Sequence, residues 1–286
     1  MRIRNARTLV DAQGGLKFAK YPTWIGGKLL FLDVHDACIK SADLSGAVEV
    51  LLSLPYLPGG FGVLANGDFF VCDAWHRKIF RWKSACKTQV ADLSDVARFC
   101  LGDGTIDSNG GMYVGDIGFN YLDPLVDPVP AGMIIHISAA GQATIVARDL
   151  FFPGGMLVSE NASTLIVAET LRHRLTAFDI ESDGRLQNRR VWAQLGDDIK
   201  PDGICLDREE AIWVAGMGEC ALRVKEGGKI VQKVCSERAV FSTTLGGPEK
   251  RHLFMCTSVS RDPVITRRTP SATIDVIEVE IPGNEC

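Results

Sequence analysis

Six short apolar runs end in nearly the same frame on a polar or small residue: Leu29 to Asp33, Phe69 to Asp73, Met112 to Asp116, Leu165 to Glu169, Ile212 to Gly216 and Leu253 to Thr257. Successive runs lie roughly 40 to 53 residues apart, the period at which a four-stranded sheet recurs as one propeller blade. Turn signals precede the first five: Gly26-Gly27, Asn66-Gly67, Asn109-Gly110-Gly111, Glu160-Asn161-Ala162-Ser163 and Arg208-Glu209-Glu210. Each repeat therefore reads as a hairpin or more. The pattern predicts an all-β chain, one six-bladed β-propeller domain over residues 1–286. Functional residues are then expected on the face where the loops of the blades converge around the channel.

Composition narrows the partners. A net charge of -4 and the lack of a Lys/Arg run alternating with aromatics argue against nucleic acid. No stretch approaches the eighteen or more apolar residues of a membrane span. The charged start Met1-Arg2-Ile3-Arg4-Asn5-Ala6-Arg7 leads into no apolar segment, so a cytosolic protein with a small-molecule substrate is expected. The cysteines number nine, an odd count, and Cys72, Cys205 and Cys256 sit inside apolar strand patterns. Most read as small buried hydrophobes.

In a propeller, the turns after the apolar runs share a face with the starts of the preceding strands. Those starts are Lys20-Tyr21-Pro22, Pro58-Gly59-Gly60, Leu101-Gly102-Asp103, Pro153-Gly154-Gly155, Pro201-Asp202-Gly203 and Phe241-Ser242-Thr243. The turns add His35 and Asp36, Trp75 and His76, Thr170 to Arg174 with His173, and the insertion 119–130 with Phe119, Asn120 and Tyr121. Three prolines stiffen that insertion, and a lid over the channel mouth or a surface elaboration are its two readings. Asp33, Asp73, Asp116 and Glu169 recur in one frame and read as turn-capping carboxylates.

At these residues the chain resembles the senescence-marker, gluconolactonase and luciferin-regenerating-enzyme family, from about Gly15 to Pro263. The resemblance rests on Tyr21-Pro22-x-Trp24, Asp103-Gly104-x-x-Asp107, Thr164 to Leu175, Pro201 to Asp207, and Leu245-Gly246-Gly247-Pro248. It implies a six-bladed propeller with one divalent cation at the channel mouth and hydrolysis of sugar lactones. Aligned residue by residue, the family's metal-binding glutamate becomes Lys20, its two asparagines become Gly102 and Gly154, and only Asp202 keeps its type. The position that family members often fill with a substrate-binding arginine is Cys100. Hard cations need several oxygen ligands, so no cofactor is expected, and Asp202 is the one ligand left for a metal.

Asp202 and Lys20 are the candidate catalytic pair, base and oxyanion stabiliser, with relic charge neutralisation as the bland alternative. Tyr21, His35, Trp75, His76, Asp103, Phe119, Asn120, Tyr121, His173 and Phe241 are the candidate substrate-binding residues. The glycines at 102 and 154 make room for a bulkier, less polar ligand than a sugar lactone. Lactone hydrolysis is the reaction the resemblance implies. Cyclisation, isomerisation or elimination, and non-catalytic binding, are the alternatives.

Overall fold

The computed structural model describes residues 2–123 and 125–284. Two short strands open the chain, β1 (Arg2–Asn5) and β2 (Arg7–Val10). Six sheets follow. The first holds β3 (Ala19–Ile25), β4 (Lys28–Asp33), β5 (Cys38–Ala42) and β6 (Val48–Ser53), and the second β7 (Pro58–Val63), β8 (Phe69–Asp73), β9 (Lys78–Lys83) and β10 (Cys86–Asp92). The third holds β11 (Leu101–Ile106), β12 (Met112–Asp116), β13 (Gly132–Ile137) and β14 (Ala143–Leu150), and the fourth β15 (Pro153–Val158), β16 (Thr164–Glu169), β17 (Arg174–Ile180) and β18 (Leu186–Gln194). The fifth holds β19 (Ile204–Leu206), β20 (Ile212–Ala215), β21 (Cys220–Val224) and β22 (Ile230–Cys235), and the sixth β23 (Ala239–Gly246), β24 (His252–Ser258) and β25 (Thr273–Glu278). The fold is a six-bladed β-propeller.

The apolar runs of the sequence are the second strands of the six sheets. They are buried on both faces, as β12, β16 and β20 show, which is why they read as continuous apolar stretches and not as alternating ones. The fourth strands β6 and β10 are mostly exposed. The sixth sheet takes its fourth strand from the other end of the chain: β2 lies antiparallel to β25, and β1 adds a fifth strand parallel to β22.

The chain divides into two compact units, Met1–Pro55 with Ala193–Cys286, and Tyr56–Trp192. The first packs Leu16, Leu29, Phe31, Phe254 and Ile274 in one cluster and Trp213, Val234, Val240 and Met255 in another. The second packs Phe70, Ile79, Met112 and Ile135 in one cluster and Tyr113, Ile134, Leu165 and Phe178 in another. The one α-helix among the described residues is α1 (Pro263–Arg268), started by the Asp262 side chain accepting from the Val264 N–H. No helix among the described residues is long and apolar enough to cross a membrane.

A disulfide joins Cys220 and Cys235, which face each other across the β21–β22 ladder. The reading of most cysteines as small hydrophobes does not reach this pair, because their opposition depends on a register the spacing does not reveal. Cys38, Cys72, Cys100 and Cys256 are free and buried. Burial, with the nearby Asp103 and Asp73 charges adding to it, pushes the Cys72 thiol well above its usual range. Burial also raises the Cys100 and Cys205 thiols to about 12, so all three stay protonated and are poor nucleophiles.

Candidate active site

Four of the first strands carry the same irregularity. Between Lys20 and Thr23, Pro58 and Phe61, Leu101 and Gly104, and Pro153 and Met156, the register with the second strand shifts by one residue. Such a bulge bends the strand and re-aims its side chains. Tyr21 and Asp103 lie inside these bulges, and Lys20 lies at the edge of one. Tyr21 pays for the bend with a left-handed backbone, φ 55°.

In the first unit, Lys20 Nζ donates to both carboxylate oxygens of Asp202, each at 2.7 Å. Both residues are buried, 6% and 3% exposed. The ammonium also lies 5.2 Å from the centre of the Tyr21 ring. Backbone bonds fix the Pro-Asp-Gly turn: Asp202 N–H donates to Ala215 O at 2.8 Å and Gly203 N–H to Phe241 O at 3.0 Å. Position 203 must be glycine, since a Cβ there would stand 2.6 Å from Ser242 Cα on β23. The close approach of β23 thus sets where the Asp202 carboxylate sits.

His35 follows β4, and Phe241 sits in a bulge of β23 between Val240 and Ser242. Phe18 joins them, stacked on His35 at 4.7 Å and edge-on to Phe241 at 5.0 Å. His35 Nδ1 meets Thr266 Oγ1 at 2.6 Å, and that hydroxyl donates to Asp262 O at 3.1 Å. Nδ1–H is therefore the donor, and the lone pair is on Nε2. Burial, then the positive Arg267, lowers the His35 pKa to about 4, and the ring is neutral near pH 7. Arg267 Nε donates to His35 O at 3.1 Å, so α1 is pinned over this corner of the first unit. Neither Phe18 nor Thr266 was singled out by sequence. Thr266 lies 231 residues from His35, and no local pattern links them.

The second unit holds the remaining candidates. Asp103 is buried. Trp75 meets Phe99 edge-on at 5.3 Å, and Tyr121 meets Phe99 at 6.0 Å and Phe152 at 5.2 Å. Phe119 is buried with Cys100 and Ile117, packing the base of the insertion. Asn120 is exposed, and its side-chain oxygen accepts from Leu122 N–H at 3.2 Å. Pro124 lies outside the described residues. His173 ends a short 3-10 turn in a left-handed conformation and is half-buried. His76 is exposed, and its ring Nδ1 meets the Asp73 carboxylate at 2.9 Å.

The donor set does not fit the cation that the family implies. Asp202 already receives an ammonium on both oxygens, and a divalent ion there would meet the Lys20 charge at close range. Gly102 contributes no side-chain oxygen, and a Cβ built on it meets nothing nearer than 3.6 Å. No group of three or more His, Cys, Asp or Glu among the described residues is arranged to hold a metal ion.

Residues 18–259 match the family described as SMP-30/Gluconolactonase/LRE-like region. Regucalcin of Danio rerio is 25% identical over 226 residues, covering 77% of this chain and 72% of that protein. Lactonase drp35 of Staphylococcus aureus is 24% identical over 219 residues, covering 72% of this chain and 66% of that protein. The crystal structure of the calcium-binding protein regucalcin from Agrobacterium tumefaciens aligns with a TM-score of 0.81 at 18% identity, over 99% of this chain and 97% of that one. That likeness speaks for the fold, and the match across residues 18–259 speaks for descent: the chain belongs to the SMP-30/gluconolactonase/LRE-like family.

Proposed function

We propose that the protein is a metal-independent hydrolase of a lactone or a related cyclic carbonyl compound, with Asp202 as general base and Lys20 as oxyanion stabiliser. The observation that carries this reading is the buried, two-pronged contact between Lys20 Nζ and both Asp202 oxygens, 2.7 Å each. Related lactonases support the reaction class.

The chemistry follows from the pair. When a carbonyl oxygen draws one ammonium N–H away from Asp202, the released carboxylate oxygen is free to take a proton from water. The hydroxide equivalent adds to the carbonyl carbon, and the negative charge that builds on the carbonyl oxygen lies against the ammonium. Collapse of the adduct breaks the ring C–O bond, and the departing oxygen takes the proton from Asp202. In a buried site these charges act through a low dielectric, which strengthens each contact.

The test is acid release from D-glucono-1,5-lactone in a pH-stat, with and without chelator. Asp202→Asn and Lys20→Met are each expected to lower kcat by about 10²- to 10³-fold, and chelator to leave the rate unchanged. Wild-type turnover in both variants overturns the assignment. Saturable binding of the lactone without acid release favours a non-catalytic binder.

A further inference from the structure

Three of the carboxylates that end second strands do one job. Asp33 accepts the Lys17 and Phe18 N–H groups, Asp116 those of Arg98 and Phe99, and Glu169 that of Phe151, at 2.7 to 3.2 Å. Each caps the chain as it enters a first strand. Asp73 stands in the same frame and does something else: it accepts the His76 backbone N–H at 3.1 Å and meets the His76 ring Nδ1 at 2.9 Å. Its carboxylate is buried, 6% exposed, while the His76 ring is 73% exposed. An acceptor-only carboxylate on Nδ1 fixes the neutral ring with its proton there and its lone pair on Nε2, turned outward.

The neighbours of this pair suit a flat, apolar ligand. Trp75 and Tyr121 are both 38% exposed, and each stands edge-on to Phe99 beneath. The turn closes on Arg77 in a left-handed conformation, φ 55°. Arg77 Nη1 reaches Phe99 O at 3.4 Å, while its Nε is buried with no hydrogen-bond partner among the described residues.

We propose that Asp73 and His76 form a second acid–base site in this protein, acting on aryl esters whose ring lies against Trp75 and Tyr121. His76 Nε2 takes a proton from water as the water oxygen bonds to the ester carbonyl carbon. Asp73 orients the ring through Nδ1 and stabilises the imidazolium that forms. Collapse of the adduct breaks the bond between the carbonyl carbon and the aryl oxygen, which leaves with the electron pair and receives the proton from Nε2. The products are a carboxylic acid and a phenol, and only water is consumed.

The probe is 4-nitrophenyl acetate, followed by nitrophenolate release from the full chain. Turnover is expected to exceed that of free imidazole at the same concentration by at least about 100-fold. His76→Gln is expected to lower kcat/KM by about 10²-fold, and imidazole added to His76→Gly to restore part of the rate. Trp75→Ala is expected to raise KM about tenfold with kcat little changed. His76→Gln retains a side-chain N–H for the buried Asp73 carboxylate, and melting temperatures are read beside the rates, so a loss of rate at the wild-type melting temperature reports chemistry. Turnover no faster than free imidazole, or wild-type turnover in His76→Gln, overturns the proposal. The Lys20–Asp202 reading is judged separately, by acid release from gluconolactone.

Discussion

Removing the Asp202 side chain takes from the buried Lys20 ammonium a carboxylate that meets it on both oxygens, and the physics of buried charge decides the size of the effect. Breaking a buried pair from one side costs about 3–5 kcal/mol, whereas replacing both members by apolar groups is often near neutral. Asp202→Ala is therefore expected to destabilise by about that amount in urea unfolding, and the double variant Lys20→Met, Asp202→Leu to recover most of it. Equal losses in single and double variants would mean that the pair does not carry its own neutralisation. Both residues were legible in sequence because each sits at a fixed place in the repeat frame. Asp73 was legible only in part. Its frame gives a turn-capping carboxylate, which its bond from the His76 backbone N–H bears out, and the added contact with the His76 ring needs coordinates, since Asp33 and Asp116 look the same in the sequence.

The elements differ in what they owe to local pattern. The six second strands follow from runs buried on both faces, and the repeated bulges then place Tyr21 and Asp103. Helix α1 has no such signal, and it holds the first unit through His35 and Thr266. His35 has a folded pKa of about 4 against an ordinary 6.5. The folded state resists protonation while the unfolded chain accepts it, so this group contributes stability that is full above about pH 6.5 and is lost as pH falls through 4. Protonation would also set an imidazolium beside Arg267, with Asp33 and Asp262 offsetting part of that repulsion. The melting temperature is expected to fall between pH 6.5 and 4 by several degrees more in wild type than in His35→Phe, which cannot titrate. Parallel curves for the two would show that this histidine does not govern the acid response.

For the molecule as a whole, the least legible feature is how the sheets are completed. The sixth repeat supplies only β23, β24 and β25, and β2 completes its sheet. The sequence of β2, Arg7-Thr8-Leu9-Val10, is short and half exposed, so it shows no apolar run. Its value lies in the strand it covers. Without it, β25 would present an unpaired edge, and Val10, 3% exposed, would leave the cluster of Leu16, Phe31, Phe254 and Ile274. Val10 alone is worth about 1.5–3 kcal/mol of buried area, before any ladder hydrogen bonds are counted. The strand β1 does less, pairing along β22 and placing Arg4 Nη1 on Glu278 O at 2.6 Å. Truncation of residues 1–10 is accordingly expected to lower the melting temperature by at least about 5 °C and to promote association through the β25 edge, seen by light scattering. Truncation of residues 1–5 is expected to cost clearly less and to leave the protein monodisperse at the same concentration. Equal losses for the two truncations would place the stabilising contact in β1, and the account of β2 as the strand that closes the sixth sheet would then fail.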